Sequence, residues 1–181
     1  MSCVTPGEEL VAHYDAAGAV IGAVPRSRMR RDRLWHATTG VLVRSLDGTR
    51  VFVHRRTAWK DVFPGMVDVW AGGVVAAGEA PEVTAERELA EEYGVSGVPL
   101  TPLFSASYEL DEVRCHSSLF EVRWDGPFVL QEAEIAEAWW EPVARLRELV
   151  GDPGWPIVPD GRLALRDWFA HVQASDDRAA Q

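Results

Sequence analysis

Long apolar runs are missing from this chain. No stretch approaches the roughly 18 consecutive apolar residues of a membrane span, so a membrane association is not expected. Cysteine is scarce as well. Cys3 and Cys115 lie far apart and outside any C-x-x-C pair, which speaks against a zinc knuckle or a dithiol redox motif and for two free thiols in a reducing compartment. Positive charge is in deficit: 18 Lys and Arg against 28 Asp and Glu leave a formal net charge of -10, which argues against a nucleic-acid backbone as partner. An anionic small molecule is not excluded, because a bound cation can reverse the local field. Met1 to Leu10 carries Glu8 and Glu9 and lacks the charged-then-apolar pattern of a signal segment, so the cytoplasm is the expected location. Neither an internal repeat nor a low-complexity block is present. What the chain does have is 47% hydrophobic residues, eight of its residues being Trp, enough for one sizeable core in 181 residues.

Read along the chain, Leu10–Tyr14 and Val20–Val24 form an opening hairpin around Asp15–Gly18. Pro25–Arg33 suits a short helix whose five Arg read as a solvated basic face. Trp35–Arg44 and Arg50–Arg55 alternate like strands around an Asp47–Gly48 turn. After a loop closed by Pro64–Gly65, Val67–Val75 reads as a strand interrupted by Gly72–Gly73. Pro81 suits a first helical turn and Gly94 a left-handed stop, which predicts a helix up to Tyr93. Val98–Leu110 and Val113–Trp124 are long strands, Trp139–Trp140 a short one, Pro142–Val150 and Arg162–Val172 helices, and Ala174–Gln181 a frayed tail. Strands and helices in this non-alternating order predict an α+β chain or a mixed α/β/α sandwich.

Chemistry concentrates between Gly73 and Val95. At 100° per residue, Glu88, Glu91 and Glu92 fall within an arc of about 100° on one helix face. Carboxylates stacked in this way repel one another, and no Lys is interleaved. A hard divalent cation over the stripe would relieve the repulsion, because Mg²⁺ and Ca²⁺ prefer oxygen ligands. Gly72–Gly73 lets a backbone carbonyl approach such an ion, and Arg87 can orient a carboxylate with its planar fork. Read on these grounds alone, the stripe fits a plain solvated helix equally well.

The segment Gly73-x5-Glu79-x7-Arg87-Glu88-Leu89-x-Glu91-Glu92-x-Gly94-Val95 resembles the Nudix box at every defined position. The resemblance implies a Nudix fold with a mixed central sheet, the box forming a loop–helix–loop, and a Mg²⁺- or Mn²⁺-dependent hydrolase of a small-molecule diphosphate. It implies that Glu88, Glu91 and Glu92 bind the divalent ions, with the Gly72 carbonyl as a further ligand. Glu79 and Arg87 would then hold the geometry of the box. As general base it offers Glu91 or Glu88, or an acid from a late loop, for which Glu134 is the candidate against a reading as an ordinary exposed carboxylate.

Arg55, Arg56 and Lys60 precede Pro64–Gly65 in a pattern similar to the isopentenyl diphosphate isomerase branch of the superfamily, where the matching cations hold a diphosphate; all three are candidate substrate-binding residues. The opening hairpin, the Arg-rich helix and His36 fit that branch too. The isomerase reaction itself does not fit. Gly72 stands where those enzymes carry a Cys, Val74 where they carry a His, and Val113-Arg114-Cys115 where they carry a Glu-x-Glu pair. A catalytically silent ligand sensor is a third reading, disfavoured because every box carboxylate is retained. His36 reads as structural. Trp59, Phe63 and Trp70 are expected around the pocket, whether as rim or as core, and Trp139, Trp140 and Trp168 in the core. The expected organisation is residues 1–33 packed on a Nudix domain of 34–173, with a tail over 174–181; a homodimer is left open.

Overall fold

The computed structural model describes residues 9–179, with side chains to Val172; Cys3 lies outside the described residues. The chain opens with the antiparallel pair β1 (Leu10–Tyr14) and β2 (Val20–Pro25), whose turn is held by Asp15 Oδ1 accepting the Ala17 and Ala19 N–H groups at 2.9 and 2.8 Å. The short helix α1 (Arg26–Asp32) follows. Next come β3 (His36–Arg44), β4 (Arg50–Arg56), β5 (Val67–Asp68), β6 (Trp70–Ala71), helix α2 (Pro81–Tyr93), and strands β7 (Thr101–Glu109), β8 (Arg114–Arg123) and β9 (Ile135–Pro142). Helices α3 (Val143–Leu149) and α4 (Pro159–Ala179) complete it.

The main sheet is mixed. β3 runs parallel to β8 over its whole length, and β7 pairs antiparallel with the far side of β8. β3 and β4 touch only next to their turn, at Arg44 and Val51, and then diverge. The chain from Val67 to Ala71 crosses the opening: β5 pairs with β4, then β6 pairs with β3. Asp68 makes the crossing, its Oδ1 accepting the N–H groups of Val69 at 2.8 Å and Trp70 at 3.1 Å. The single strand expected over Val67–Val75 is therefore two short ones. Another departure is β9, which exceeds the Trp139–Trp140 strand expected and pairs with β4 from Arg50 to Arg56. The C-terminal helix also exceeds its expected span, taking in most of the tail from Ala174.

Strand alternation separates two cores. Val41 and Val43 of β3 and Phe52 of β4 pack with Ala85, Leu89 and Tyr93 of α2. Leu42, Val51 and Val53 point the other way, to Leu146 of α3 and Leu165 and Trp168 of α4. The result is an α/β/α sandwich, with Trp168 wholly buried and Trp139 and Trp140 packed at the two core edges. Burying each such aliphatic or aromatic side chain stabilises the fold by about 1.5–3 kcal/mol. A smaller cluster of Val11, Val24, Met29 and Val74, with Leu34 against it, fixes the opening hairpin and α1 to the sandwich. Among the described residues, no helix is long and apolar enough to cross a membrane.

Candidate active site

Helix α2 has the punctuation expected of it. Pro81 occupies its first turn, and Gly94 closes it at φ 68°, donating to the Ala90 carbonyl at 3.0 Å. A Cβ at Gly94 would also lie 2.7 Å from the Val129 Cβ, because the following loop crosses here. That loop is tied down on both sides. Val129 and Gln131 donate backbone N–H groups to the carbonyls of Tyr93 and Glu92, while Thr57 N–H donates to the Glu134 carbonyl and Trp59 Nε1 to that of Ala133. These contacts bring Glu134 to the box helix from more than forty residues along the chain.

The carboxylates of α2 have distinct surroundings. Glu91 is exposed, Glu88 is largely covered, and Glu92 is buried with its Oε2 accepting the Gly72 N–H at 3.3 Å. Arg87 donates to Glu88 at 2.8 Å and to Glu79 at 3.4 Å and stands 3.6 Å from Glu91, while Thr84 Oγ1 donates to Glu79 at 2.5 Å. The box arginine thus joins loop and helix. Burial raises the Glu88 carboxyl above its usual range against the pull of Arg87. The Glu92 carboxyl is raised well above that range by burial and by the neighbouring charges of Glu88 and Glu134.

Lys60, the only lysine of the chain, places its Nζ 2.5 Å from Glu134 Oε2. Arg56 donates to the Val62 carbonyl at 3.0 Å and stands 4.0 Å from Asp68. Both cations line a cavity of about 1030 Å³ together with Gly72, Gly73, Glu88, Glu91 and Glu134. Arg55 is not brought there. Successive strand residues face opposite sides, and Arg55 turns to Glu137 at 2.7 Å and to the Gly65 carbonyl. Trp59 is 72% exposed and also lies off the cavity, whereas Phe63 and Trp70 line it. His36 lines the cavity edge; its Nδ1 is 2.9 Å from the Leu34 carbonyl, and burial lowers its pKa to about 4.

The donors fit a divalent cation. Two covered carboxylates, Glu88 and Glu92, repel one another, and their oxygens are donors of the kind a hard cation prefers. A Cβ at Gly73 would meet the Glu88 carboxylate at 2.6 Å, so the glycine leaves that approach open. Among the described residues, no three His, Cys, Asp or Glu side chains converge on one point; Glu88 is drawn to Arg87 and Glu92 to the Gly72 N–H.

The cavity has further walls that the sequence reading did not assign. Arg26, Arg30 and Arg33 line it, while Arg28 and Arg31 pair with Asp32. The supposed solvated face of α1 is thus divided, and the i, i+4, i+7 spacing of the three inward arginines was the available signal. Asp68 and Asp160 also line it, and burial raises the Asp68 carboxyl to about 6. An acid within the Val-rich stretch Val67–Trp70 was a signal for Asp68; nothing local marked Asp160.

An α/β/α sandwich that sets a carboxylate-rich loop–helix–loop against a wall of cations defines a hydrolase class built around that motif. A family model described as the NUDIX domain matches residues 34–160, and the chain belongs to the Nudix hydrolase family. It is 45% identical over 174 residues to the Nudix hydrolase orf19 of Rhodococcus erythropolis, covering 91% of this chain and 94% of the relative. It is 39% identical over 154 residues to the Nudix hydrolase YfcD of Escherichia coli, covering 83% and 81%. Among solved structures, DR0079 of Deinococcus radiodurans superposes with a TM-score of 0.74 at 23% identity, covering 89% of this chain and 99% of that one. The Nudix domain of Shewanella oneidensis NrtR, solved in complex with ADP ribose, superposes with a TM-score of 0.60 at 16% identity, covering 76% and 88%.

Proposed function

We propose that this protein hydrolyses a phosphoanhydride in a nucleoside-diphosphate-linked or other organic diphosphate, with Mg²⁺ or Mn²⁺ bound at Glu88, Glu91, Glu92 and the Gly72 carbonyl. One observation carries the reading: acidic residues of the box and the cations Arg56 and Lys60 line the same cavity, as binding a metal-neutralised polyanion requires. When bound, the metal supplies charge neutralisation of the diphosphate oxygens and activation of water. Arg56 and Lys60 hold the phosphates. Arg87 keeps Glu88 oriented from Glu79, and Glu134 takes the proton of the attacking water as general base, with Lys60 setting its orientation. The solved complex of the NrtR Nudix domain with ADP ribose makes a nucleoside diphosphate compound the first substrate to try.

The isopentenyl diphosphate isomerase chemistry is disfavoured by Gly72 itself. A Cβ there would lie 2.0 Å from the Thr39 carbonyl oxygen, so this backbone leaves no room for a cysteine. Val74 is buried against Val11, Val24 and Met29, and Cys115 is buried behind the cavity wall, its Sγ 3.4 Å from the Ser117 hydroxyl.

The test is a phosphate-release screen over nucleoside diphosphates, nucleotide sugars, ADP ribose, dinucleotides, a CoA derivative and a prenyl diphosphate, with Mg²⁺ or Mn²⁺. At least one compound should be hydrolysed, EDTA should abolish the reaction, and Glu92→Gln should lower kcat by about 10²-fold or more, the scale of a mispositioned metal charge. Full activity of that variant in chelator would refute the metal site. Hydrogen–deuterium exchange into isopentenyl diphosphate in D₂O would move the protein to the isomerases, and silence in both assays would favour a ligand sensor.

A further inference from the structure

Asp68 is a buried carboxylate whose structural duty an amide would also perform. Its Oδ1 accepts the Val69 and Trp70 N–H groups at 2.8 and 3.1 Å, which locks the side chain at the crossing from β5 to β6. Asn carries the same acceptor and has no charge to desolvate. What the carboxylate adds is negative charge on Oδ2, and that oxygen stands 4.0 Å from Nη1 of Arg56. Burial raises the Asp68 carboxyl to about 6, so it is ionised at neutral pH in spite of the cost.

The register of the sheet creates this approach. β5 sets Asp68 opposite His54 on β4, and Arg56, two residues further along β4, falls on the same face as His54. The Arg56 guanidinium is then fixed at all three nitrogens. Its Nε and Nη2 donate to the Val62 carbonyl at 3.3 and 3.0 Å. That carbonyl precedes Phe63, whose φ of 52° is a conformation that L side chains rarely adopt and keep only where the surroundings impose it. Asp68 attracts Nη1 without taking a hydrogen bond from it, since 4.0 Å is beyond hydrogen-bond reach. The Nη1–Nη2 edge of the fork is therefore left for a ligand of the cavity, which Arg56 lines together with Lys60.

We propose that Asp68 is a positioning residue of the phosphate clamp: with the Val62 carbonyl, its carboxylate holds the Arg56 guanidinium so that the Nη1–Nη2 edge meets a phosphate of the substrate. An arginine left to itself spreads over many rotamers, and ordering it at the moment of binding weakens affinity. Asp68 makes that order part of the fold. In this role it touches no substrate and acts through Arg56 alone, so removal of Arg56 should remove its effect. The assignment rests on the diphosphate reading above.

A double-mutant cycle over Asp68→Asn and Arg56→Ala in the full chain tests this. Its readout is calorimetric titration with methylenediphosphonate in Mg²⁺, a diphosphate analogue whose P–C–P bridge is not hydrolysed. Arg56→Ala should weaken binding by on the order of tenfold or more, and Asp68→Asn by about fivefold. In the Arg56→Ala background, Asp68→Asn should change the affinity by less than about twofold. With a compound that the phosphate-release screen identifies, Asp68→Asn should raise KM by a similar factor and leave kcat within about twofold of the parent. Thermal melting confirms that each variant is folded; if Asp68→Asn is not, Asp68→Ser, which also keeps an uncharged acceptor, takes its place. An equal loss with and without Arg56 overturns the positioning role, because that is what damage to the crossing alone would give. Unchanged affinity in Asp68→Asn, a fall in kcat at constant KM, or a parent protein that does not bind the probe overturns it as well. Coupled losses in a protein that hydrolyses nothing would leave the role standing and remove the hydrolase reading; hydrolysis with uncoupled losses would do the reverse.

Discussion

Asp68 is a carboxylic acid inside a hydrophobic layer. It is held there because the crossing from β4 to β3 leaves two backbone N–H groups that its Oδ1 accepts. Burial raises its pKa from 3.8 to about 6, with Arg56 pulling the other way and Asp160 adding to the rise. A folded pKa above the unfolded one means that the native state holds the proton more tightly. Stability from this group is therefore present below about 3.8 and is lost as pH rises towards about 6. Asp68→Asn keeps an oxygen for both N–H groups and does not titrate. Its stability relative to the parent should rise by on the order of 3 kcal/mol between pH 4 and pH 7, as measured by urea unfolding at each pH. A difference that stays constant over that window would show that the burial of Asp68 is not what the fold is resisting. At the same scale, Gly72 was legible from sequence only as a place that lets a backbone carbonyl approach an ion. The stronger constraint on it, the Thr39 carbonyl in the space of its missing side chain, comes from a neighbouring strand and has no local mark.

Among the elements, α2 was legible because its limits are set locally, by Pro81 at one end and Gly94 at the other, and its acidic face follows from the helical repeat alone. β9, β5 and β6 were not. Each owes its length to a partner distant in sequence, and a Trp-rich stretch beside acidic residues has no period that announces an edge pairing with β4. The same reason hid the site's second half: the Nudix helix could be read, but the elements folded over its cavity could not. Helix α1 is the clearest case. Arg30 ion-pairs with Asp61 in the loop that carries Lys60, and Arg33 donates to the Asp111 carbonyl, so α1 is fixed across the cavity with cations on its inner face. If that face adds to the positive field over the diphosphate, Arg30→Ala and Arg33→Ala should each raise KM several-fold with kcat little changed, the pattern of lost uniform binding. Arg28→Ala, on the outer face and paired with Asp32, should leave both constants as they are. Equal effects at positions 28 and 30 would mean that α1 acts only through the net charge of the protein.

At the scale of the whole molecule, a chain of net charge -10 concentrates further negative charge at its own centre. Glu92 is buried, Glu88 is largely covered, and Glu134 is brought up to them by a loop pinned between the end of α2 and the segment after β4. Arg87 and Lys60 pair with Glu88 and Glu134, but among the described residues no ion pair reaches Glu92, so the fold without a divalent ion carries repulsion that its hydrophobic layers must outweigh. An ion bound only by the native state removes that repulsion and stabilises the fold by mass action, by about 2.7 kcal/mol at a concentration a hundred times its Kd. For a domain of this length each kcal/mol shifts Tm by roughly 2–4 °C, so saturating Mg²⁺ should raise Tm by about 5–10 °C over the value in EDTA. The increment should grow with the logarithm of Mg²⁺ concentration beyond saturation. Glu92→Gln removes one of the crowded charges as well as a ligand, so its Tm in EDTA should lie at or above that of the parent, while its response to Mg²⁺ should be small. This pairing of signs separates a metal site from a merely structural carboxylate, whose loss would lower Tm in EDTA and leave the Mg²⁺ response in place. Calorimetry of both proteins with and without Mg²⁺ reads the two quantities together. A parent protein whose Tm is the same in EDTA and in millimolar Mg²⁺ would show that the crowded carboxylates are neutralised without an ion, by protonation or by their own arginine.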